Sequence, residues 1–197
     1  MDGRATETRR RGRASAAGAA LFVVVLLAAA PASGYDRPPL LEQVASRFAL
    51  RPAEVRCPSL DEWLNDPIWG SGPNSRRAWG YTDMLHEHVV LHPVLCAGAL
   101  AVPDSSVPAW QRATGVLVLV HEAYHLRRWT WRRNEGKVEC QAIRHFMTGA
   151  EQLGASRELA NDLLPYALAA HARMVALYPT YRDRGCKLPV WLAPLQP

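Results

Sequence analysis

The chain has 197 residues, 23 Lys and Arg against 18 Asp and Glu, a formal net charge of +5, and 49% hydrophobic residues. That balance is globular: it excludes a disordered, collagen-like or multi-span membrane chain and leaves room for one domain beside a targeting segment. The charge is unevenly placed. Arg4, Arg9, Arg10, Arg11 and Arg13 stand against only Asp2 and Glu7 in residues 1–34, so the remaining chain keeps 18 basic and 16 acidic residues and a charge of +2. This gives no basic signal for nucleic acid.

Residues 1–34 read as a signal peptide. The arginine-rich front is followed by an apolar run from Ala19 to Ala30 and then small residues, with Ala30-x-Ala32 or Ala32-x-Gly34 as cleavage sites. The apolar run is short for a permanent span, so no stable membrane span is expected after cleavage; an uncleaved signal anchor is the alternative. The expected location is secreted, with membrane tethering as the alternative. Residues 35–197 are expected to form a single domain.

Leu40, Leu41, Val44, Ala45 and Phe48 recur at helical spacing, and Pro52 closes that helix. A short strand is expected near Val55–Cys57. Ser59 and Glu62 form a capping-box pattern that opens a short helix ending at Asp66-Pro67. Residues 68–77 are rich in Gly, Pro, Ser and Asn and read as a loop. Strands are expected at Ala78–Thr82 and His88–Leu91, in a small sheet of two to four strands, with a turn of helix over Val94–Ala101. A long helix opens near Pro108 and runs to about Arg128. Its valines are poor intrinsic helix formers, so burial must support it. A reversal at Trp129–Arg133 leads to a second helix capped by Asn134, ending near Gly149. Ser156 caps a third, which Pro165 either kinks or divides, and Pro179 stops it. Residues 187–197 read as an extended tail.

The chemistry concentrates in residues 116–139. His121-Glu122-Ala123-Tyr124-His125 is an HExxH pattern on a helix. Residues four apart lie about 40° apart around a helix axis, so His121 and His125 can aim at one ion; Glu122, about 100° from His121, flanks it. A catalytic zinc site takes three protein ligands and keeps one position for water, whose proton a nearby carboxylate can accept. Glu122 is the candidate catalytic base. The third ligand must come from elsewhere, and Glu135 and Glu139 share a face of the next helix. If the hairpin turns near Trp131, residue 139 falls opposite residue 123, between the two histidines. This favours Glu139 as the third ligand, with Glu135 as the alternative ligand or as a group supporting the ligands from behind. The expected cofactor is Zn2+, and the expected partner is a peptide or protein substrate.

This segment resembles the zincins, and among them the gluzincins, in which a glutamate on a following helix completes the HExxH site. The resemblance covers roughly residues 86–146 and rests on His121, Glu122, His125 and the Glu135/Glu139 pair. The chain is also similar to compact secreted actinobacterial-type proteins with HExxH shortly before NExxxEC, here Asn134-Glu135 to Glu139-Cys140. It departs from the metzincin pattern, which would place Gly and His where Arg128 and Trp131 stand. In gluzincins the ligand glutamate often has a carboxylate four residues later; that resemblance implies Glu135 as ligand and Glu139 behind it. The gap after His125 is shorter than in thermolysin-like members. The resemblance implies a zinc metallopeptidase; a secreted zinc-stabilised binding or structural module without catalysis is the alternative.

Other candidates are dispersed. His86, His88 and His92 flank a strand, and His-x-His on a strand puts two imidazoles on one face, so a second metal site is conceivable there. Otherwise they form a polar strand face beside the cleft, with His88–Leu91 as a cleft edge able to pair with extended peptide. His145, His171, Tyr124, Tyr166 and Tyr181 are candidate oxyanion stabilisers. Cys57, Cys96, Cys140 and Cys186 imply two disulfides, and sequence alone does not choose among three pairings. Cys140–Cys186 with Cys57–Cys96 is the expected arrangement, because a bridge at Cys140 would pin the second helix. The expected fold is α+β and predominantly helical: a small sheet packed with a zinc-binding helical hairpin and a C-terminal helical layer.

Overall fold

The structure, a computed structural model, describes residues 36–66, 78–127, 134–183 and 185–186. The expected targeting segment, the loop at 68–77, the reversal at 129–133 and the tail at 187–197 lie outside these residues. Six helices and three strands follow one another as α1 (Pro39–Ala49), β1 (Glu54–Arg56), α2 (Leu60–Asn65), β2 (Gly80–Asp83), β3 (His88–Leu91), α3 (Pro93–Leu100), α4 (Ala109–Arg127), α5 (Glu135–Gln152) and α6 (Arg157–Leu177). A 3-10 turn, Pro179–Tyr181, comes after α6. The fold is the expected α+β arrangement, mostly helical.

Local chemistry accounts for most boundaries. Ser59 accepts from the Glu62 amide while the Glu62 carboxylate accepts from the Ser59 amide, so two otherwise orphaned donors at the start of α2 are satisfied. Asn134 accepts from the Lys137 amide at the start of α5, and Ser156 from the Leu159 amide at the start of α6. Pro165 lies inside α6 without dividing it. α3 is two turns rather than one, because His92 accepts from the Val94 amide and Pro93 is suited to the first turn.

The helix bearing HExxH is the centre of the domain. α4 packs against α1, α3, α5, α6, β2 and β3. Every residue from Arg112 to Leu126 is buried. A helix covered on all sides needs no polar face, which is why its valines are tolerated. Backbone packs against backbone where α3 crosses α4: a Cβ at Gly115 would lie 2.4 Å from the Leu95 carbonyl oxygen.

The sheet has the order β1-β3-β2. β1 runs parallel to β3 with Val55 opposite Val89; β2 runs antiparallel to it with Thr82 opposite Val89. This corrects the expectation that His88–Leu91 forms the cleft edge. Among the described residues β3 is the central strand, buried at all four positions, and β2 is an edge. A four-residue apolar, β-branched run is what a strand covered on both sides requires. Disulfides join Cys57 to Cys96 and Cys140 to Cys186, the expected pairing. The first ties the end of β1 to α3. The second ties α5 to the segment after α6. Among the described residues no helix is long and apolar enough to cross a membrane.

Candidate metal centre

α4 presents His121, Glu122 and His125 on successive positions of one buried turn, each with no more than 7% of its surface exposed. α5 returns alongside so that His121 meets both Glu135 and Glu139, while His125 meets Glu135 alone. Three atoms converge. His121 Nε2 and His125 Nε2 are 3.1 Å apart, and Glu135 Oε2 lies 3.2 Å from each. Zinc bonds of about 2.0–2.1 Å at tetrahedral angles place their donors roughly 3.3 Å apart, so this triangle has the dimensions of three ligands to one ion. Two imidazole nitrogens crowded on a carboxylate oxygen are poorly satisfied by one another, and the donor set could hold a metal ion.

Glu139 sits on the opposite edge of the His121 ring. Its Oε2 is 2.7 Å from His121 Nδ1, and its Oε1 is 2.8 Å from His171 Nδ1 on α6. A carboxylate there keeps the proton on Nδ1 and turns the Nε2 lone pair toward the triangle. Burial opposes charge on His121, but the hydrogen bonds it donates to Glu135 and Glu139 overcome it and hold its pKa at about 10. Burial likewise opposes charge on Glu139, and His121 and His171 bring its pKa down to about 2. Glu135 is lowered in the same sense, against its burial, by the two histidines it faces. With protons alone available, the cluster therefore stores positive charge between two carboxylates, where a cation also fits.

Glu122 points to the other side, onto the sheet. Thr82 Oγ1 is 2.8 Å from Glu122 Oε2 and 2.9 Å from the Glu122 carbonyl oxygen. β2 can lie this close because residue 80 is glycine: a Cβ there would fall 2.9 Å from Val118 Cγ1 and 3.4 Å from Glu122 Cγ. A cavity of about 230 Å³ beside the cluster is lined by Trp79, Gly80, His121, Glu122, Glu139 and Tyr181, among others. A larger cavity of about 850 Å³ shares Trp79, Met174 and Tyr178 with it and extends toward Trp110 and Tyr166.

The segment after α6 closes on the cluster from above. The Tyr181 ring lies 5.5 Å from the His121 ring with planes 17° apart. Its hydroxyl is held above the ordinary phenol pKa by burial first, then by the charges of Glu135, Glu122 and Glu139 and a hydrogen bond to Glu135. Gly136 makes room for it: a Cβ would meet the Arg182 and Asp183 backbone at 3.0 Å. The Cys140–Cys186 bridge fixes the same segment to α5.

No family model, curated protein or solved structure matches this chain.

The structure brings together His121, His125, Glu122, Glu135 and Glu139, all singled out by sequence. It places Glu135, and not Glu139, where both histidine Nε2 atoms can share it. A hairpin turning near Trp131 would set residue 139 opposite residue 123, between the histidines, whereas Glu139 meets His121 alone of the two; an axial level does not say which edge of an imidazole a carboxylate meets. Only the Nε2 edge of His121 also faces His125. Of the dispersed candidates, Tyr181 and His171 join the site. Tyr124 instead packs with Phe48 in the core, the partly buried His145 lies against both rings, and Tyr166 stands half exposed beside the larger cavity. Sequence reasoning missed Thr82. A single threonine on a short strand carries no spacing signal, and its contact with Glu122 crosses 40 residues.

Proposed function

We propose that the protein is a secreted zinc-dependent hydrolase of gluzincin-like type, a peptidase that uses an activated water. The observation that carries this is the convergence of His121 Nε2, His125 Nε2 and Glu135 Oε2, with His121 and Glu122 both lining a cavity. Two imidazoles and one carboxylate form a donor set suited to catalytic zinc, and the export-type leader with two disulfides supports an oxidising, extracytoplasmic setting. Glu135 is the third ligand on this reading, and Glu139 holds His121 from behind.

A zinc ion in such a site acidifies a bound water and polarises a carbonyl. The chain's own residues then have distinct tasks. Glu122 takes the proton of the attacking water and passes it to the leaving amine. The Thr82 hydroxyl lies within hydrogen-bond range of Glu122 Oε2 and of the Glu122 carbonyl oxygen, and restricts the carboxylate beside the cavity. Tyr181, stacked on the His121 ring and donating to Glu135, holds that carboxylate and walls the cavity. An extended peptide is expected along the edge strand β2, where backbone groups of Gly80–Asp83 can pair with it beside Glu122.

The test is a chelator-sensitive assay of the mature chain on a mixed peptide pool, with zinc content measured alongside. Glu122→Gln is expected to lower turnover by at least about 100-fold while zinc stays bound. Turnover unchanged by Glu122→Gln contradicts the mechanism. Zinc bound by a wild-type chain that cleaves nothing returns the reading to a zinc-stabilised binding module.

A further inference from the structure

A second group of metal-ligating side chains sits at the far end of the β2–β3 hairpin and takes no part in the first. Asp83 closes β2 and His88 opens β3, and the two are register partners, so their side chains stand on one face of the sheet. His86 lies in the intervening turn. Asp83 Oδ1 accepts from the Leu85 and His86 amides at 2.9 and 3.1 Å, which locks the carboxylate. Its other oxygen, Oδ2, then faces His86 Nδ1 at 2.7 Å and His88 Nε2 at 3.7 Å. One atom from each of the three residues falls within 4.8 Å of the others.

His88 decides between an ordinary hydrogen-bonded cluster and a ligand site. Its side chain is 5% exposed and that of Asp83 9%. Among the described residues its Nδ1 is buried without a partner, while Nε2, the nitrogen that faces the cluster, stands beyond hydrogen-bond range of Asp83. A buried ring nitrogen without a partner is costly, so the ring is held there by its packing and by what Nε2 faces. An Asp–His hydrogen bond explains His86 but leaves His88 unexplained. A gap of 3.7 Å is too long for a hydrogen bond, yet it matches two donors at about 2.0–2.2 Å on either side of one cation. The nearby Arg56 opposes positive charge at His88. Arg56 itself is engaged by Glu54, which limits its opposition to a cation.

We propose that Asp83, His86 and His88 bind a second divalent transition-metal ion, of the zinc, nickel, cobalt and copper class, at the end of β2. Two imidazoles and a carboxylate select that class over calcium or magnesium, which prefer all-oxygen sites. His86 is 64% exposed, so the ion is reached from solvent. Asp83 directly follows Thr82, so the ion clamps the strand that holds Glu122. The assignment does not depend on hydrolysis or on the first cluster.

The probe is zinc alone, with the mature chain stripped by chelator and equilibrated by dialysis at micromolar free Zn2+. The wild type is expected to bind two equivalents. His86→Ala, at an exposed turn position where folding is not at risk, is expected to bind one, with affinity at the second site reduced at least about 10-fold. The double variant His121→Ala/His125→Ala is expected to keep one equivalent, and adding His86→Ala is expected to remove it. A wild type that binds a single equivalent insensitive to His86→Ala overturns the proposal. So does a second equivalent whose affinity His86→Ala leaves unchanged.

Discussion

Thr82 and Glu122 show how much of the site's chemistry depends on one hydrogen. The hydroxyl has one proton to donate and faces two oxygens of the same residue, at 2.8 and 2.9 Å. It therefore holds the Glu122 side chain against its own helix and restricts where the carboxylate can point. Thr82→Val keeps the shape of the side chain and removes that proton. The expected result is a fall of about 10-fold in kcat with KM and zinc content unchanged, and recovery in Thr82→Ser. A loss confined to KM, or a loss of zinc, would show that Thr82 serves the fold rather than the base. At this scale His121, Glu122 and His125 were readable because their contacts follow the helix period. The two glutamates were readable as a pair and not as individuals. They lie about 40° apart on α5, and the choice rests on which nitrogen of one ring each meets. His171 closes the chain behind Glu139 from a third helix, a contact across 32 residues that no local pattern announces.

Among the elements, α4 has the strongest constraints. It is buried on all sides, so it can shift neither toward the sheet nor toward α3 without strain. Its crossing with α3 depends on Gly115, where a Cβ would fall 2.4 Å from the Leu95 carbonyl oxygen and 2.7 Å from the Ala99 amide nitrogen. Backbone cannot rotate out of the way as a side chain can. Gly115→Ala is expected to cost about 1–3 kcal/mol by overpacking, despite the better helix propensity of alanine. Urea unfolding measures this, and a change within about 0.5 kcal/mol would show that the helices can separate freely. The helix ends were legible because capping is local: Ser59, Asn134 and Ser156 each act within three residues of themselves. The order of strands was not. Whether His88–Leu91 is central or an edge depends on Glu54–Arg56 arriving from more than 30 residues upstream, and alternation along β3 does not encode that.

For the molecule as a whole, both disulfides act on the arrangement around α4. Cys57–Cys96 joins the sheet to α3, and Cys140–Cys186 holds the Tyr181 turn over α5. A bridge at Cys140 was suggested by its place beside Glu139 on the returning helix, but its partner Cys186 was one of three open choices, since any partner would fix that helix. What composition could not supply was the depth of the cluster. Its two histidines and Glu139 are almost fully buried, whereas the Glu135 side chain is 31% exposed. The central claim is that His121, His125 and Glu135 hold one zinc ion beside Glu122. It is tested most directly by anomalous X-ray diffraction at the zinc edge from crystals of the mature chain grown with Zn2+. The expected result is a peak about 2.0–2.2 Å from His121 Nε2, His125 Nε2 and a Glu135 carboxylate oxygen, with Glu139 remaining on His121 Nδ1. The account is contradicted by no peak between those three atoms, or by a peak ligated by Glu139 with Glu135 turned away.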